Sequence, residues 1–467
     1  FSFGESAREA YERMIALVTL AEKRLARAKP VAVGKSIAAR PRRIARAAEI
    51  APVLRGLATD GGRPMVMDFR TSRGILDYLA RPDLRRFAST GPVTPDHVIR
   101  TKPKPLILAA PEAGKPDAFR ADAEKALGKY ASDYVGYFTR NNRRVGGMKK
   151  QLDPVPRVIL VEGVGIFGLG ASNGAAAIAA DLAETTMRVI GDAERFGKFR
   201  SISEADIFDM EYWSLEQAKL GKGVEKRLAR RIVAVTGGAS GIGAATAAAF
   251  AAEGAAVAVL DLDPGPGGIR CDVTDAKSVK KAFETVCERF GGVDIVVSNA
   301  GAAWQGRIGD VDEKILRESF ELNFYGHQRV VQAALAVMRA QGLGGCLLFN
   351  TSKQAVNPGR DFGPYGLPKA ATLFLMRQYA LDHGEEGIRS NAVNADRIRS
   401  GLLTDRMIAE RSTARGLSAG EYMSGNLLGR EVTAADVAQA FVGLALAEKT
   451  TGAVMTVDGG NIAAALR

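Results

Sequence analysis

Apolar positions along this chain follow two periods, and the change of period marks out its elements. Ile232 to Val235 and Ala255 to Leu260 are short uninterrupted apolar runs, which predicts buried parallel strands. Between them lie glycines at 237, 238, 241 and 243 and an alanine-rich helical stretch to about Glu253. Upstream, a helical period over residues 5–28 puts Ala10, Met14, Leu17, Val18, Ala21 and Leu25 on one stripe. Ser6 caps that helix, Glu9 completes a capping box, and Pro30 stops it. A second helix is predicted from Pro41 to Leu57, a strand from Met65 to Phe69, and a helix from Phe119 to Phe138 whose Tyr130, Tyr134, Tyr137 and Phe138 read as core. Prolines at 92, 95, 103 and 105 predict an ordered but irregular loop. Arg157 to Ile190 reads as another strand, glycine turn and helix, and Ser203 to Leu220 as a helical connector capped by Ser203.

The order strand, glycine turn, helix, strand and terminal Asp261 is what a dinucleotide site needs. Its glycines let the backbone approach a pyrophosphate, and the helix start after Gly241 offers free N–H groups and a positive dipole end. The turn at Arg157–Ile190 is read differently. Leu169-Gly170-Ala171-Ser172 matches Phe3-Gly4-Glu5-Ser6, and both lead into a helix, a partial internal repeat rather than a second nucleotide site.

Composition narrows the class. A chain of 467 residues has room for two or three domains, and no apolar run approaches the roughly 20 residues of a membrane helix. Cys271, Cys287 and Cys346 have no metal spacing and fit a reducing cytoplasm. From Ala229 onward 25 Lys and Arg balance 25 Asp and Glu, so the whole net charge of +12 lies upstream. Lys23 to Arg46 holds nine basic residues and no acid, which reads as a solvated face or as a surface for an anionic partner. No aromatic residue is interleaved there, which argues against single-stranded nucleic acid. His97, Arg100, Thr101 and Lys102 lie close in sequence, either as a phosphate or metal-bound-substrate site or as chance polar residues on a surface loop.

Two family resemblances follow from the motifs. The segment "FSFGESAREAYERMIALVTLAEKRL" resembles the region just after the third metal-ligand histidine of the class II aldolase/adducin family. That resemblance puts the histidine before Phe1, and in the repeat its place is held by Val164, which binds no metal. It implies a truncated α/β class II aldolase-like region over 1–213 with no metal site and no aldolase chemistry of its own, the chain being the C-terminal part of a longer protein. After a linker at 214–228, residues 229–467 resemble the short-chain dehydrogenase/reductase family, a Rossmann-type doubly wound parallel sheet. The motifs are "TGGASGIG" at 236–243, Asp261, Asp272-Val273, "SNAG" at 298–301, Asn323, Ser352, "YGLPK" at 365–369 and "VDGG" near the C-terminus.

The resemblance implies NAD held by Gly237, Ser240, Gly241, Ile242, Gly243, Asp261, Asp272, Val273, Asn299, Ala300, Gly301, Tyr365 and Lys369. It also implies that Tyr365 is the acid/base, Ser352 orients the substrate oxygen, Lys369 bonds the nicotinamide ribose and Asn323 holds a relay water. The chemistry agrees: a tyrosine, with a reference pKa of about 10, is a weak base at neutral pH unless a cation favours phenolate, and Lys369 lies one helical turn on. The sequence also departs from the family. Only ten residues separate Asp261 from Asp272, too few for the usual helix, and Asn394-Ala395-Asp396 replaces Asn-Pro-Gly. Arg397 and Arg399 then point to a polar or anionic substrate loop, or to plain surface solvation. The combination of the two regions resembles bifunctional aldolase/dehydrogenases of rhamnose-type catabolism. It implies a cytoplasmic homo-oligomer acting on a small aldehyde or alcohol, with lactaldehyde as candidate. A polyol or sugar-alcohol dehydrogenase and a non-catalytic nucleotide-binding scaffold are the alternatives.

Overall fold

Two sheets organise the chain. A computed structural model describes residues 2–29, 41–220 and 223–461. The first sheet has the strands β1 (Val66–Arg70), β2 (Leu106–Leu108), β3 (Val158–Val161) and β4 (Gly165–Gly170) in the order β1-β4-β3-β2. β4 runs antiparallel to both neighbours, and β2 parallel to β3. The predicted turn after β3 is therefore a hairpin, and the helix Asn173–Phe196 follows β4. Its Ser172 cap accepts from Ala175 N at 3.2 Å, as Ser6 does from Glu9 N at 3.2 Å, so the local match of the two segments extends to their caps.

The second sheet is wholly parallel. Its strands are β5 (Ile232–Thr236), β6 (Ala256–Asp261), β7 (Ile269–Arg270), β8 (Ile295–Ser298), β9 (Gly345–Ser352), β10 (Ile388–Ala395) and β11 (Val454–Val457), in the order β11-β10-β9-β8-β5-β6-β7. Phe250, Val437 and Phe441 from the helices Gly241–Ala252 and Ala434–Leu446 fill one face. Phe283, Val330 and Met376 from three further helices fill the other, so apolar side chains cover both faces, as a parallel sheet requires. Strand order reverses between β5 and β8, and a crevice at that point, past the carboxyl ends of the strands, is where such sheets take ligands. The short segment after Asp261 forms β7 and no helix, as its length predicts.

Several expectations need correction. The first helix runs Ala7–Arg27, but none of its side chains is buried, and Leu17 on the predicted stripe is 58% exposed. Its capping box is half formed, because the Glu9 carboxylate accepts from Glu5 N and not from Ser6 N. Pro30, its predicted stop, and part of the Lys23–Arg46 basic run lie outside the described residues. The second helix starts at Ala47 rather than Pro41, and the helix expected over 119–138 extends over Pro116–Arg144. The proline-rich loop contains a helical turn at Val98–Thr101, since its prolines flank that turn. Ser203–Leu220 is no mere connector: Ile207 and Phe208 of the helix Glu204–Glu211 are buried against Val98, Tyr134 and Tyr137. His97, Arg100, Thr101 and Lys102 do not converge. Arg100 donates to Lys219 O, Thr101 to His97 O, and Lys102 turns inward to Tyr134 Oη at 2.9 Å.

The two regions share a dry contact. Arg55, fully buried, donates to both Asp294 carboxylate oxygens at 2.9 and 2.7 Å, and to the carbonyls of Met65 and Arg230. Asp294 also accepts from Ile232 N at the start of β5. Every polar atom of this pair is thus engaged, the condition under which a buried ion pair is tolerated. Among the described residues no helix is long and apolar enough to cross a membrane.

Candidate active site

The site grows from the carboxyl ends of β5, β8 and β9. Thr236, the last residue of β5, accepts from Asn299 N at 2.9 Å and Ala300 N at 3.2 Å, which ties the glycine turn to the loop after β8. Asn299 donates to the carbonyls of Thr236 and Gly237 at 3.0 and 3.2 Å and accepts from Asn350 of β9 at 2.8 Å. Three strand ends are locked in register by these bonds. Gly243 allows the turn to close, since a Cβ there would lie 1.9 Å from Gly237 O. Ser240 is the N-cap residue of the following helix, yet its side chain makes no cap bond, so the first-turn N–H groups keep no side-chain acceptor. Gly241 has φ +51°, and Ile242 lines the neighbouring cleft.

Asp261 ends β6 facing this turn. Its carboxylate accepts from Ala239 N at 3.0 Å and from Asp263 N at 3.3 Å. Arg270, its β7 partner in register, donates to Leu262 O, so this cation is directed to a backbone carbonyl. Asp272 folds back on its own loop, accepting from Thr274 N and Oγ1 at 2.9 and 2.6 Å, and these bonds hold its carboxyl below the usual range. Val273 is buried.

On the other side of the cleft, Ser352 ends β9 and its Oγ accepts from Gln354 N at 3.3 Å, which leaves the hydroxyl proton free to donate. Tyr365 and Lys369 stand one turn apart on the helix Gly363–His383, with the Lys369 Nζ 5.8 Å from the centre of the tyrosine ring. Burial pushes the Tyr365 phenol up to about 12, and the Ser352 hydroxyl works against that. Burial also brings Lys369 itself down to about 8, because its ammonium has no carboxylate partner. It donates to Asn350 O at 3.0 Å and faces His327 Nε2 at 3.4 Å.

Asn323 lies in a single π-helical turn, Glu321–Tyr325, set between the helices Glu313–Phe320 and Gly326–Gln341. Such turns recur at functional sites. Its amide donates to Ala302 O at 2.8 Å, and its backbone carbonyl accepts from Thr372 Oγ1 at 2.7 Å, which occupies one of that oxygen's two lone pairs. Asn323 Oδ1 is buried without a partner. A Cβ on Gly301 would lie 2.7 Å from that oxygen and 3.3 Å from Lys369 Nζ, so the loop, the π-turn and the lysine meet at one point.

Sequence reasoning missed His327, Thr236, Asn350 and Thr372. His327 is buried between Lys369 and Ser298, whose Oγ is 2.6 Å from Nδ1, and burial with the nearby ammonium holds its pKa well below that of a free imidazole. The signal was present: His327 follows Asn323 by four residues, one helical turn. Arg399, expected at the substrate loop, pairs instead with Asp405 and Glu431.

Residues 45–220 match the family described as Aldolase class II, second domain, and residues 237–461 the family described as Enoyl-(Acyl carrier protein) reductase. The chain is 31% identical over 447 residues to the Bacillus subtilis (strain 168) protein named Uncharacterized oxidoreductase YuxG, covering 90% of this chain and 64% of that one. It therefore spans just under two thirds of that relative's length. The (+)-borneol dehydrogenase 1 of Salvia officinalis is 32% identical over 253 residues, 51% of this chain and 95% of the relative. Galactitol 2-dehydrogenase of Agrobacterium fabrum is 32% identical over 254 residues, 50% of this chain and 98% of the relative. With the parallel sheet and this site behind an aldolase-type domain, the chain belongs, through its second region, to the short-chain dehydrogenase/reductase family.

Proposed function

We propose that the second region interconverts an alcohol, or an aldehyde hydrate, and a carbonyl compound with NAD as cofactor. Lactaldehyde from deoxy-sugar, rhamnose-type catabolism is the candidate substrate. The observation that carries this reading is that Ser352 and Tyr365 line one cleft with Ile242 of the glycine turn, while Lys369 is buried one helical turn beyond Tyr365 with its Nζ 5.8 Å from the ring centre. The residues present fit a nicotinamide dinucleotide. The uncapped helix start after Ser240 suits a pyrophosphate, Asp261 a ribose diol, and the unpartnered Asn323 Oδ1 lies with Lys369 at the inner end. When bound, that cofactor supplies the hydride donor or acceptor.

The chain's own residues do the rest. Tyr365, held as a phenol by burial, donates its proton to the carbonyl oxygen in reduction and recovers it in oxidation. Ser352 donates to the same oxygen and orients it. Lys369, cationic below about pH 8, favours the phenolate whenever Tyr365 gives up its proton. NAD is preferred over NADP because the Asp261 carboxylate repels a 2′-phosphate while Arg270 is held at Leu262 O. A cytoplasmic homo-oligomer belongs to the same proposal. The 32% identity to galactitol 2-dehydrogenase favours a polyol as the second reading. The presence of Ser352 and Tyr365 in one cleft, with Lys369 one helical turn from the tyrosine, weighs against a non-catalytic scaffold.

The test is the appearance of reduced cofactor with lactaldehyde and a panel of sugar alcohols. Wild type turns over at least one of them with NAD, and Tyr365→Phe loses about 100- to 10,000-fold in kcat with its circular dichroism unchanged. A phenylalanine variant with near wild-type kcat removes Tyr365 from the mechanism.

A further inference from the structure

The substrate side of the cleft is strongly cationic. A cavity of about 280 Å³ is lined by Ser352 and Tyr365 together with Lys353, Arg360, Arg397, Arg411 and Arg415, and by one carboxylate, Asp396. That carboxylate is already engaged: Lys353 Nζ lies 3.1 Å and Arg397 Nε 3.6 Å from Asp396 Oδ2, which also accepts from Asn461 at 2.6 Å. Arg397 is further held by Tyr422 O at 2.8 Å. The other three guanidinium groups have no carboxylate within 4.0 Å among the described residues.

Two of these are positioned as well as unpaired. Arg411 lies over the Phe362 ring at 5.0 Å, and Arg415 over the Tyr422 ring at 5.3 Å with its Nη1 donating to Arg411 O. Aromatic faces and a carbonyl orient these forks without neutralising them, so donors remain for a ligand. Like charges gathered in one concavity repel each other and are relieved by an anion.

We propose that the substrate is anionic: a hydroxy compound whose phosphate or carboxylate is held by Arg411 and Arg415 while its reacting carbon lies between Tyr365 and Ser352. This deepens the dehydrogenase reading and rests on it. A neutral hexitol leaves these arginines unpaired. Lactaldehyde, which has no charged group away from its reacting carbon, leaves them unpaired as well, so a different, anionic substrate is favoured for the same dehydrogenase.

The test compares kcat/KM for matched neutral and anionic compounds: a polyol, its phosphate ester, and the corresponding hydroxy acid. An anionic member exceeds its neutral counterpart about 10- to 100-fold, and which one does so separates phosphate from carboxylate. The Arg411→Gln/Arg415→Gln double variant loses that preference chiefly through KM, and the double lysine variant recovers part of it. In parallel, inorganic phosphate raises the Tm of wild type and not of the glutamine variant. Turnover of neutral and anionic compounds with equal kcat/KM, or a preference that survives the glutamine variant, overturns the inference while leaving the dehydrogenase intact. If no compound is turned over, the dehydrogenase reading fails, and the phosphate shift alone decides whether an anion site exists.

Discussion

The chain contains two strand–glycine–helix units, and they spend their glycines in opposite ways. At β4, the glycines bring a helix down onto a sheet: a Cβ on Gly168 would lie 2.3 Å from Ala176 O and 2.6 Å from Ala180 N. Ser172 then caps that helix, so its first turn is satisfied from within. At β5 the tightest glycine contact is inside the turn itself, where a Cβ on Gly243 would lie 1.9 Å from Gly237 O, and Ser240 leaves the helix start uncapped. The buried lysines repeat the contrast. Lys102 and Lys369 are both pushed down to about 8 by burial, but Lys102 has Glu211 at 3.7 Å and Tyr134 beside it. Lys369 has only a carbonyl and a neutral imidazole. At these two lysines, one region sets a carboxylate beside the ammonium and the other does not. A glycine turn reports close approach; the cap and the strand connection decide whether the approaching body is a helix or a ligand.

The contrast can be broken most forcefully by adding side chains. Gly243→Val weakens NAD binding more than about 100-fold, measured by calorimetric titration, because backbone must move in the turn that would hold the pyrophosphate. Gly168→Val costs about 1–3 kcal/mol of stability by denaturant unfolding and leaves NAD affinity unchanged, because its clash is with a structural helix. Equal effects of the two on affinity would erase the distinction.

A smaller effect is expected at the open lysine. His327→Leu removes an acceptor from the Lys369 ammonium, so the lysine pKa falls below its present value of about 8. The cation is present below that pKa and lost as pH rises through it. The alkaline limb of kcat/KM therefore moves to lower pH, by about one unit for a lost interaction of about 1.4 kcal/mol. Burial is the cause of the lysine's shift, and the titratable groups facing it are Tyr365 on its own helix and His327 opposite. An unmoved limb makes His327 mere packing. The smallest effect separates the two caps: Ser172→Ala destabilises by about 1 kcal/mol, whereas Ser240→Ala changes stability by a few tenths at most.

Much of the second region was legible in the sequence because its local signals agree with its fold. The apolar runs, the glycine spacing and the Tyr365–Lys369 interval each specify geometry within a few residues. What escaped depends on pairs distant along the chain. The Arg55–Asp294 contact joins residues whose partners no local pattern predicts. Of the two arginines expected at the substrate loop, Arg397 lines the cleft and Arg399 turns to Asp405 and Glu431, while Arg411 and Arg415 escaped because a later helix and the turn after it bring them to the cavity that Tyr365 lines. The first helix shows the converse: its stripe was read correctly as helical, but amphipathicity alone does not say what covers the stripe.

The most direct test of an open, NAD-binding turn is kcat/KM with NAD and with NADP, on wild type and on Asp261→Ala. Wild type should favour NAD by at least about tenfold, the equivalent of about 1.4 kcal/mol, and the alanine variant should lose that preference by accepting NADP. A wild type that favours NADP, or an alanine variant with the preference unchanged, would contradict the assignment of Asp261 to the ribose.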